Sequence, residues 1–253
     1  MEQTFNHPIQ YVLFDLGNTL IYFDGCWKDV LEEANVKMVK SLAQGGYSLN
    51  NSEFTSEFTN RLQRYYLERD INFKEVPTSA ILKSLLAENG YTQIPEADIK
   101  NALEIFYKAT EAHWKIEADT IPLLEALKEN KINLGVISNA SNADNVKRLI
   151  DNAKIRHFFD LIYISAEFGI RKPHPKIFES ALAKWNTNSS HCIMVGDTLS
   201  SDIVGANKIG MRSIWINRRV PNATKQVFDV DNKPTFIVGT LAEIINVIED
   251  INH

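Results

Sequence analysis

Cysteine is nearly missing from this chain: two in 253 residues, Cys26 and Cys192, far apart in sequence. That excludes a disulfide framework and a thiolate metal pair, and it fits a reducing, cytoplasmic setting. Cys192 falls in an apolar, strand-like run and reads as core filler. Long hydrophobic runs are missing too, so nothing reaches the length of a membrane span. The first residues have neither the basic segment nor the apolar stretch of a secretory leader. Positive charge is not in excess: 27 Lys and Arg stand against 32 Asp and Glu, a net charge of -5. That argues against general nucleic-acid binding, which needs a basic face. Internal repeats and low-complexity tracts are likewise absent. What is present is the composition of a soluble globular protein, 44% hydrophobic and 23% charged. Its length suffices for one large domain or two modest ones.

Residues 9–14 read as a short buried strand. From about 21 to 115 the pattern is helical, with almost no strand signal. Val30, Leu31, Ala34, Met38 and Leu42 share one face; Phe54, Phe58, Leu62 and Tyr65 a second. Ile81, Leu82, Leu85 and Leu86 make a third, and Ile99, Leu103 and Phe106 a fourth. Gly45-Gly46, Pro77 and Gly90 with Pro95 separate them. Beyond 115, strands at 132–138, 161–165, 192–196, 213–217 and 235–238 alternate with helices at 142–152, 176–185, 201–209 and 241–250. This alternation predicts an α/β fold, a doubly wound parallel sheet with helices on both faces. The first strand needs that sheet to be buried. The expected organisation is therefore a discontinuous Rossmann-like core, 1–20 and 116–253, with an inserted all-helical cap, 21–115.

Polar groups sit where the strands end. The first runs Tyr11-Val-Leu-Phe-Asp15-Leu-Gly17-Asn-Thr19, a carboxylate followed at once by a turn signal. Another ends in Ser138-Asn139, a third in Gly196-Asp197 with Asp202 five residues on, and Arg171-Lys172-Pro173-His174-Pro175 enters a helix. Parallel strands align their C-terminal ends on one edge, so Asp15, Ser138, Lys172 and Asp197 can converge. Two carboxylates among oxygen-rich neighbours suit a hard cation such as Mg²⁺, and no His/Cys set competes for zinc. Ser138 can donate to a phosphoryl oxygen, Lys172 can neutralise one, and an aspartate can be a nucleophile. That set fits phosphoryl transfer. Singly, Ser138 reads as a helix cap, Lys172 as a solvated lysine and Asp197 as a turn residue. Their joint order is the signal.

On these motifs the chain resembles the haloacid dehalogenase-like hydrolase superfamily, in its branch with a helical cap after the first strand. The family pattern D-x-D-x-T reads Asp15-Leu-Gly17-Asn-Thr19; the strand ending in Ser or Thr reads Ser138. The K-P-x-P lysine reads Lys172, and G-D-x-x-x-x-D reads Gly196-Asp197 to Asp202. The resemblance implies Asp15 as nucleophile and metal ligand, and Asp197 as the second metal carboxylate. It also implies Asp202 as an outer carboxylate orienting water or Lys172, the Gly17 carbonyl as a further Mg²⁺ ligand, and an Asn139 N–H on the phosphate. His174 fills a variable slot and reads as turn chemistry.

Gly17 departs from the family pattern. Phosphatases of the family carry there a second aspartate that protonates the leaving group and then activates water; glycine moves no proton. Three readings follow. One is a Mg²⁺-dependent phosphatase acting on a small phosphorylated metabolite through an aspartyl-phosphate on Asp15. Its leaving groups would need little protonation, as in acyl phosphates or sugar 1-phosphates, or Asp24 would serve as a surrogate acid. A second is phosphonate or carbon–halogen cleavage. A cap lysine such as Lys28, Lys37 or Lys40 would then form a Schiff base with a phosphonate substrate, while the intact G-D-x-x-x-x-D argues against a dehalogenase. A third is a binding or regulatory protein on a degenerate scaffold. Cap residues that can meet substrate or serve as packing are Tyr22, Trp27, Tyr65, Tyr66 and Trp114, with Arg61, Arg64 and Arg69 for an anion. The expected state is a monomer or homodimer without nucleic-acid or membrane partners.

Overall fold

The computed structural model describes residues 7–223 and 226–252, so residues 1–6 of the expected core segment lie outside it. The chain opens with strand β1 (Tyr11–Phe14), turns through Asp15 to Thr19, and makes a three-residue strand β2 (Ile21–Phe23). Four helices follow: α1 (Trp27–Gln44), α2 (Asn51–Asn72), α3 (Thr78–Glu88) and α4 (Glu96–Glu111). Strand β3 (Trp114–Ile116) returns antiparallel to β2, and α5 (Thr120–Glu129) leads into β4 (Asn133–Ser138). Next come α6 (Ala143–Asn152), β5 (Leu161–Ile164), a one-turn α7 (Ser165–Phe168), α8 (Pro175–Trp185) and β6 (Cys192–Gly196). A π-turn (Leu199–Ile203) runs into α9 (Val204–Lys208), followed by β7 (Arg212–Ile216), β8 (Phe236–Val238) and α10 (Glu243–Asn252).

Six strands form one parallel sheet in the order β5-β4-β1-β6-β7-β8. The sequence dictates the burial of β1. Val12 and Phe14 face one hydrophobic cluster, with Leu124, Leu134 and Ile248, while Leu13 faces the other, with Phe178, Cys192 and Met194. Alternate residues thus bury both faces, as a doubly wound sheet requires. Cys192 is fully buried in that second cluster, and burial pushes its thiol up to about 12; neither cysteine is in a disulfide. The cap helices gather a cluster of their own, including Met38, Phe58, Leu86 and Phe106, on the faces the periodicity predicts. No helix among the described residues is long and apolar enough to cross a membrane.

Three features depart from the expectations. The β2–β3 ribbon lies where almost no strand signal was expected; β2 begins at the join expected at 20/21, and β3 crosses the one expected at 115/116. Helix α5 has no counterpart in the sequence reading. The helix expected from 201 begins as the π-turn at Leu199, which reshapes the backbone around Asp202.

Candidate active site

Sheet polarity brings the strand-end groups together. β1 lies between β4 and β6, in register from Tyr11 beside Asn133 and Cys192 to Phe14 beside Val136 and Val195. Asp15, Ser138 and Asp197 therefore emerge on one edge. They line a cleft of about 530 Å³ together with Gly17, Asn139 and Lys172.

Lys172 is the hub. Its ammonium, fully buried, donates to Asp15 Oδ1 at 2.7 Å and to the Ile137 carbonyl at 2.5 Å, and pairs with Asp202 Oδ1 at 2.8 Å. Its backbone is clamped by one side chain: Asn139 Nδ2 donates to the Lys172 carbonyl, and Asn139 Oδ1 accepts the Lys172 N–H, both at 2.9 Å. A buried amine would ordinarily lose its proton more easily. Here the two carboxylates outweigh the burial and hold Lys172 above its ordinary value.

Asp202 is fully engaged. Besides Lys172 it accepts the Thr198 N–H at 3.0 Å on Oδ2 and the Ser201 hydroxyl at 3.3 Å on Oδ1. The π-turn makes this local closure, and Gly196 permits it: a Cβ there would sit 2.3 Å from Asp202 Oδ2. Asp197 is less committed, accepting the Thr198 hydroxyl at 3.1 Å, while its carbonyl takes the Trp215 indole N–H at 2.7 Å. Oxygens of Asp15, Asp197 and Asp202 lie within 4.8 Å of one another.

Three carboxylates around one ammonium leave negative charge uncompensated. Burial raises Asp15 to about 6, with Lys172 opposing the rise and Asp202 adding to it. Asp197 is raised further, to about 8, by burial and then by the charges of Asp15 and Asp202. Asp202 spends its lone pairs on Lys172, Thr198 and Ser201. Asp15 and Asp197 are the carboxylates with oxygens to spare, and such a hard-oxygen, charge-deficient site fits a divalent cation of the Mg²⁺ type.

The other expected residues separate cleanly. Trp114 covers Gly17: a Cβ on that glycine would lie 3.3 Å from the far edge of the indole, Cη2. Asp24 is exposed, its carbonyl facing the His113 ring and its N–H donating to the His113 carbonyl, and it does not line the cleft. Lys28, Lys37 and Lys40 are exposed on α1 and do not line it either. Tyr22 carries the Arg219 guanidinium over its ring at 3.7 Å, and Trp27 packs edge-on against Phe23. Arg61 is held by Glu57 and Glu88, and Arg64 is exposed. Arg69 alone of the three cap arginines lines the cleft. Tyr65 bonds the buried Glu75, Tyr66 lies under Arg69, and the His174 ring caps α8. Sequence reasoning missed Arg171, which also lines the cleft; its position beside Lys172 was its only mark.

Comparison with known proteins bears on the family and the fold. Over 244 residues, 96% of the chain, it is 29% identical to a glyceraldehyde 3-phosphate phosphatase of Methanopyrus kandleri, covering 98% of that protein. It is 24% identical to a ribulose-1,5-bisphosphate 5-phosphatase of Halopiger xanaduensis, covering 94% of the chain and 98% of the relative. Its fold matches the crystal structure of a 2-haloacid dehalogenase from Pseudomonas syringae pv. Tomato DC3000, with a TM-score of 0.70, 24% identity, and 96% and 99% of the two chains covered. The family model for haloacid dehalogenase-like hydrolases matches residues 12–216. The chain belongs to the haloacid dehalogenase-like hydrolase family, and is a hydrolase.

Proposed function

We propose that this hydrolase is a Mg²⁺-dependent phosphatase of small phosphorylated metabolites, working through an aspartyl-phosphate on Asp15. In this reading 1–20 and 116–253 form the catalytic core, and 21–115 the cap that closes over it. The observation that carries the proposal is the Asp15–Lys172–Asp202 array beside Asp197, two acids more than one lysine can neutralise. Relatives named for small phosphate esters support it.

Asp15 Oδ1 is fixed by Lys172, which leaves the other oxygen to attack phosphorus. The new P–O bond forms as the bond to the leaving oxygen breaks; water then displaces Asp15 and releases inorganic phosphate. Burial raises Asp15 only to about 6, so it stays mainly ionised at neutral pH and needs no base. Lys172, Ser138 and the backbone beside Asn139 would hold phosphoryl oxygens, and Asp202 would keep Lys172 protonated and in place. Asp15, Asp197 and the Gly17 carbonyl would hold Mg²⁺, which when bound offsets charge on the phosphoryl group.

No carboxyl stands at 17, and Trp114 covers that position. Leaving groups that depart with little protonation are therefore favoured, acyl phosphates and sugar 1-phosphates among them. The Asp24 surrogate loses support from its exposed position.

The test is release of phosphate from p-nitrophenyl phosphate and acetyl phosphate, with Mg²⁺ and with EDTA. Turnover that requires Mg²⁺ and falls by at least ~10⁴-fold in Asp15→Asn is expected. Chloride release from 2-chloropropionate in EDTA, with no phosphate release under either condition, would replace this reading with dehalogenation.

A further inference from the structure

The same cleft holds a second group of charges that the chemistry at Asp15 does not use. Arg69 comes from the last turn of α2 in the cap, and Arg171 from the core loop just before Lys172. Both residues line the cleft. Arg171 is 7% exposed, yet among the described residues its Nη1 has no hydrogen-bond partner, and neither has Nε of Arg69. A buried guanidinium with unmade bonds is costly unless something arrives to complete them.

Nearby acids do not complete them. Arg171 stands 3.8 Å from Glu75 Oε2 and 3.8 Å from Asp70 Oδ1, and Arg69 stands 4.0 Å from that same Asp70 oxygen. All three separations exceed a hydrogen bond. Asp70 is a largely solvated carboxylate, 71% exposed, shared between two cations. Glu75 already accepts the hydroxyls of Tyr65, Ser141 and Ser165. Serving as the counter-ion of Glu75 accounts for the burial of Arg171 but not for its open donor.

Both planes are held ready. The Arg69 guanidinium lies over the Tyr66 ring at 4.2 Å, which fixes its face and leaves its edge for a forked contact. The Arg171 N–H donates to the Phe73 carbonyl at 3.1 Å, tying the loop that carries it to the cap. Two neighbouring guanidiniums, both within about 4 Å of one Asp70 oxygen, match the oxygens of a carboxylate or a phosphate.

We propose that Arg69 and Arg171 form a second anion subsite, so that the substrate carries a further carboxylate or phosphate on its leaving group. This rests on the phosphatase reading for the identity of the first anion. The second subsite selects esters with an anionic tail over neutral-tailed ones, because a neutral tail leaves both forks unmade.

The test uses non-hydrolysable probes of matched length, so that binding is read apart from turnover. Propylphosphonate, 3-phosphonopropionate and 1,2-ethylenebisphosphonate are titrated calorimetrically into the full chain with Mg²⁺. At least one of the two doubly anionic probes should bind about ten-fold or more tightly than propylphosphonate. Which of them binds better tells a carboxylate subsite from a phosphate one. Arg69→Met should bring that ratio close to one, Arg69→Lys should restore it in part, and Arg64→Met, which removes an exposed charge from the same helix, should leave it intact. Arg171 is not the test residue, because its loss strands Glu75 and can unfold the chain.

Equal affinities for the three probes, or a ratio unmoved by Arg69→Met, would overturn the subsite. Hydrolysis of p-nitrophenyl phosphate without probe selectivity leaves the phosphatase standing and removes the subsite. Selectivity without hydrolysis of any phosphate ester does the reverse.

Discussion

On the proposed Mg²⁺ reading, Asp15 and Asp197 would have opposite needs in the metal-free and metal-bound protein. Without a cation, burial, with repulsion from Asp202 at both and from Asp15 at Asp197, raises them to about 6 and about 8, from an ordinary value of 3.8. Between about 4 and about 8 the folded chain therefore holds protons that the unfolded chain has released, so metal-free stability falls as pH rises through that window. A divalent cation needs both groups ionised, so its binding strengthens over the same range and opposes the fall. Thermal midpoints at pH 5, 6.5 and 8, in EDTA and in Mg²⁺, should diverge as pH rises, and Asp197→Asn should reduce the divergence. A Mg²⁺ increment that shrinks toward pH 8 would contradict the pairing of these acids around one ion. Asp15, Ser138, Lys172 and Asp197 could be found in the sequence because each ends a strand or opens a helix, and parallel strands share an edge. Arg171 could not be found, because an arginine beside a lysine reads as one more surface charge until its burial is seen.

At the scale of elements, period was legible and short geometry was not. The cap helices and the six-stranded sheet follow apolar spacings long enough to repeat, as in Phe54, Phe58, Leu62 and Tyr65 along α2. Strands β2 and β3 have three residues each, too few to show alternation, and unlike the equally short β8 they stand outside the strand–helix alternation that marks the sheet. Pro122 falls in the first turn of α5, where proline is tolerated, but it disguises the helix. The ribbon has a chemical consequence, because β3 delivers Trp114 onto Gly17. An aspartate introduced at 17 meets the indole edge at its Cβ, so the indole must shift to admit it. Gly17→Asp alone should therefore raise turnover of p-nitrophenyl phosphate by less than ~10-fold, short of the usual range for general acid–base catalysis. Paired with Trp114→Phe, which deletes the crowding Cη2 edge, the gain should reach ~10²-fold. Steady-state kinetics on both variants and on Trp114→Phe alone decides this. A full gain from Gly17→Asp by itself would show that the indole yields freely.

Across the whole molecule, two hydrophobic clusters pack the sheet and a third packs the cap, so the joint between cap and core must be made of other material. Much of it is backbone and polar groups in the loop 73–78. Glu75 N–H donates to the Gly169 carbonyl at 3.2 Å, Arg171 N–H to the Phe73 carbonyl, and Thr78 N–H to the Ser141 carbonyl at 3.0 Å. The Glu75 carboxylate, wholly buried, sits at the centre and gathers hydroxyls from the cap (Tyr65) and the core (Ser141, Ser165), with Arg171 near by. In sequence Glu75 is an ordinary charged loop residue; only the meeting of three distant segments gives it this role. Glu75→Ala strands three hydroxyls and a buried guanidinium at once, and the cost should be about 3–5 kcal/mol, the range for breaking a buried charge pair. Because the two sides have separate cores, that loss should fall on the joint. Limited proteolysis should cut within 73–78 while helices α1 and α4 stay protected, and urea unfolding should move to lower midpoints. Glu75→Gln keeps one acceptor oxygen, which can serve two of the hydroxyls, and should lose less. If Glu75→Ala unfolds at the wild-type midpoint with the loop still protected, the ribbon alone holds the cap in place, and the carboxylate is dispensable to the joint.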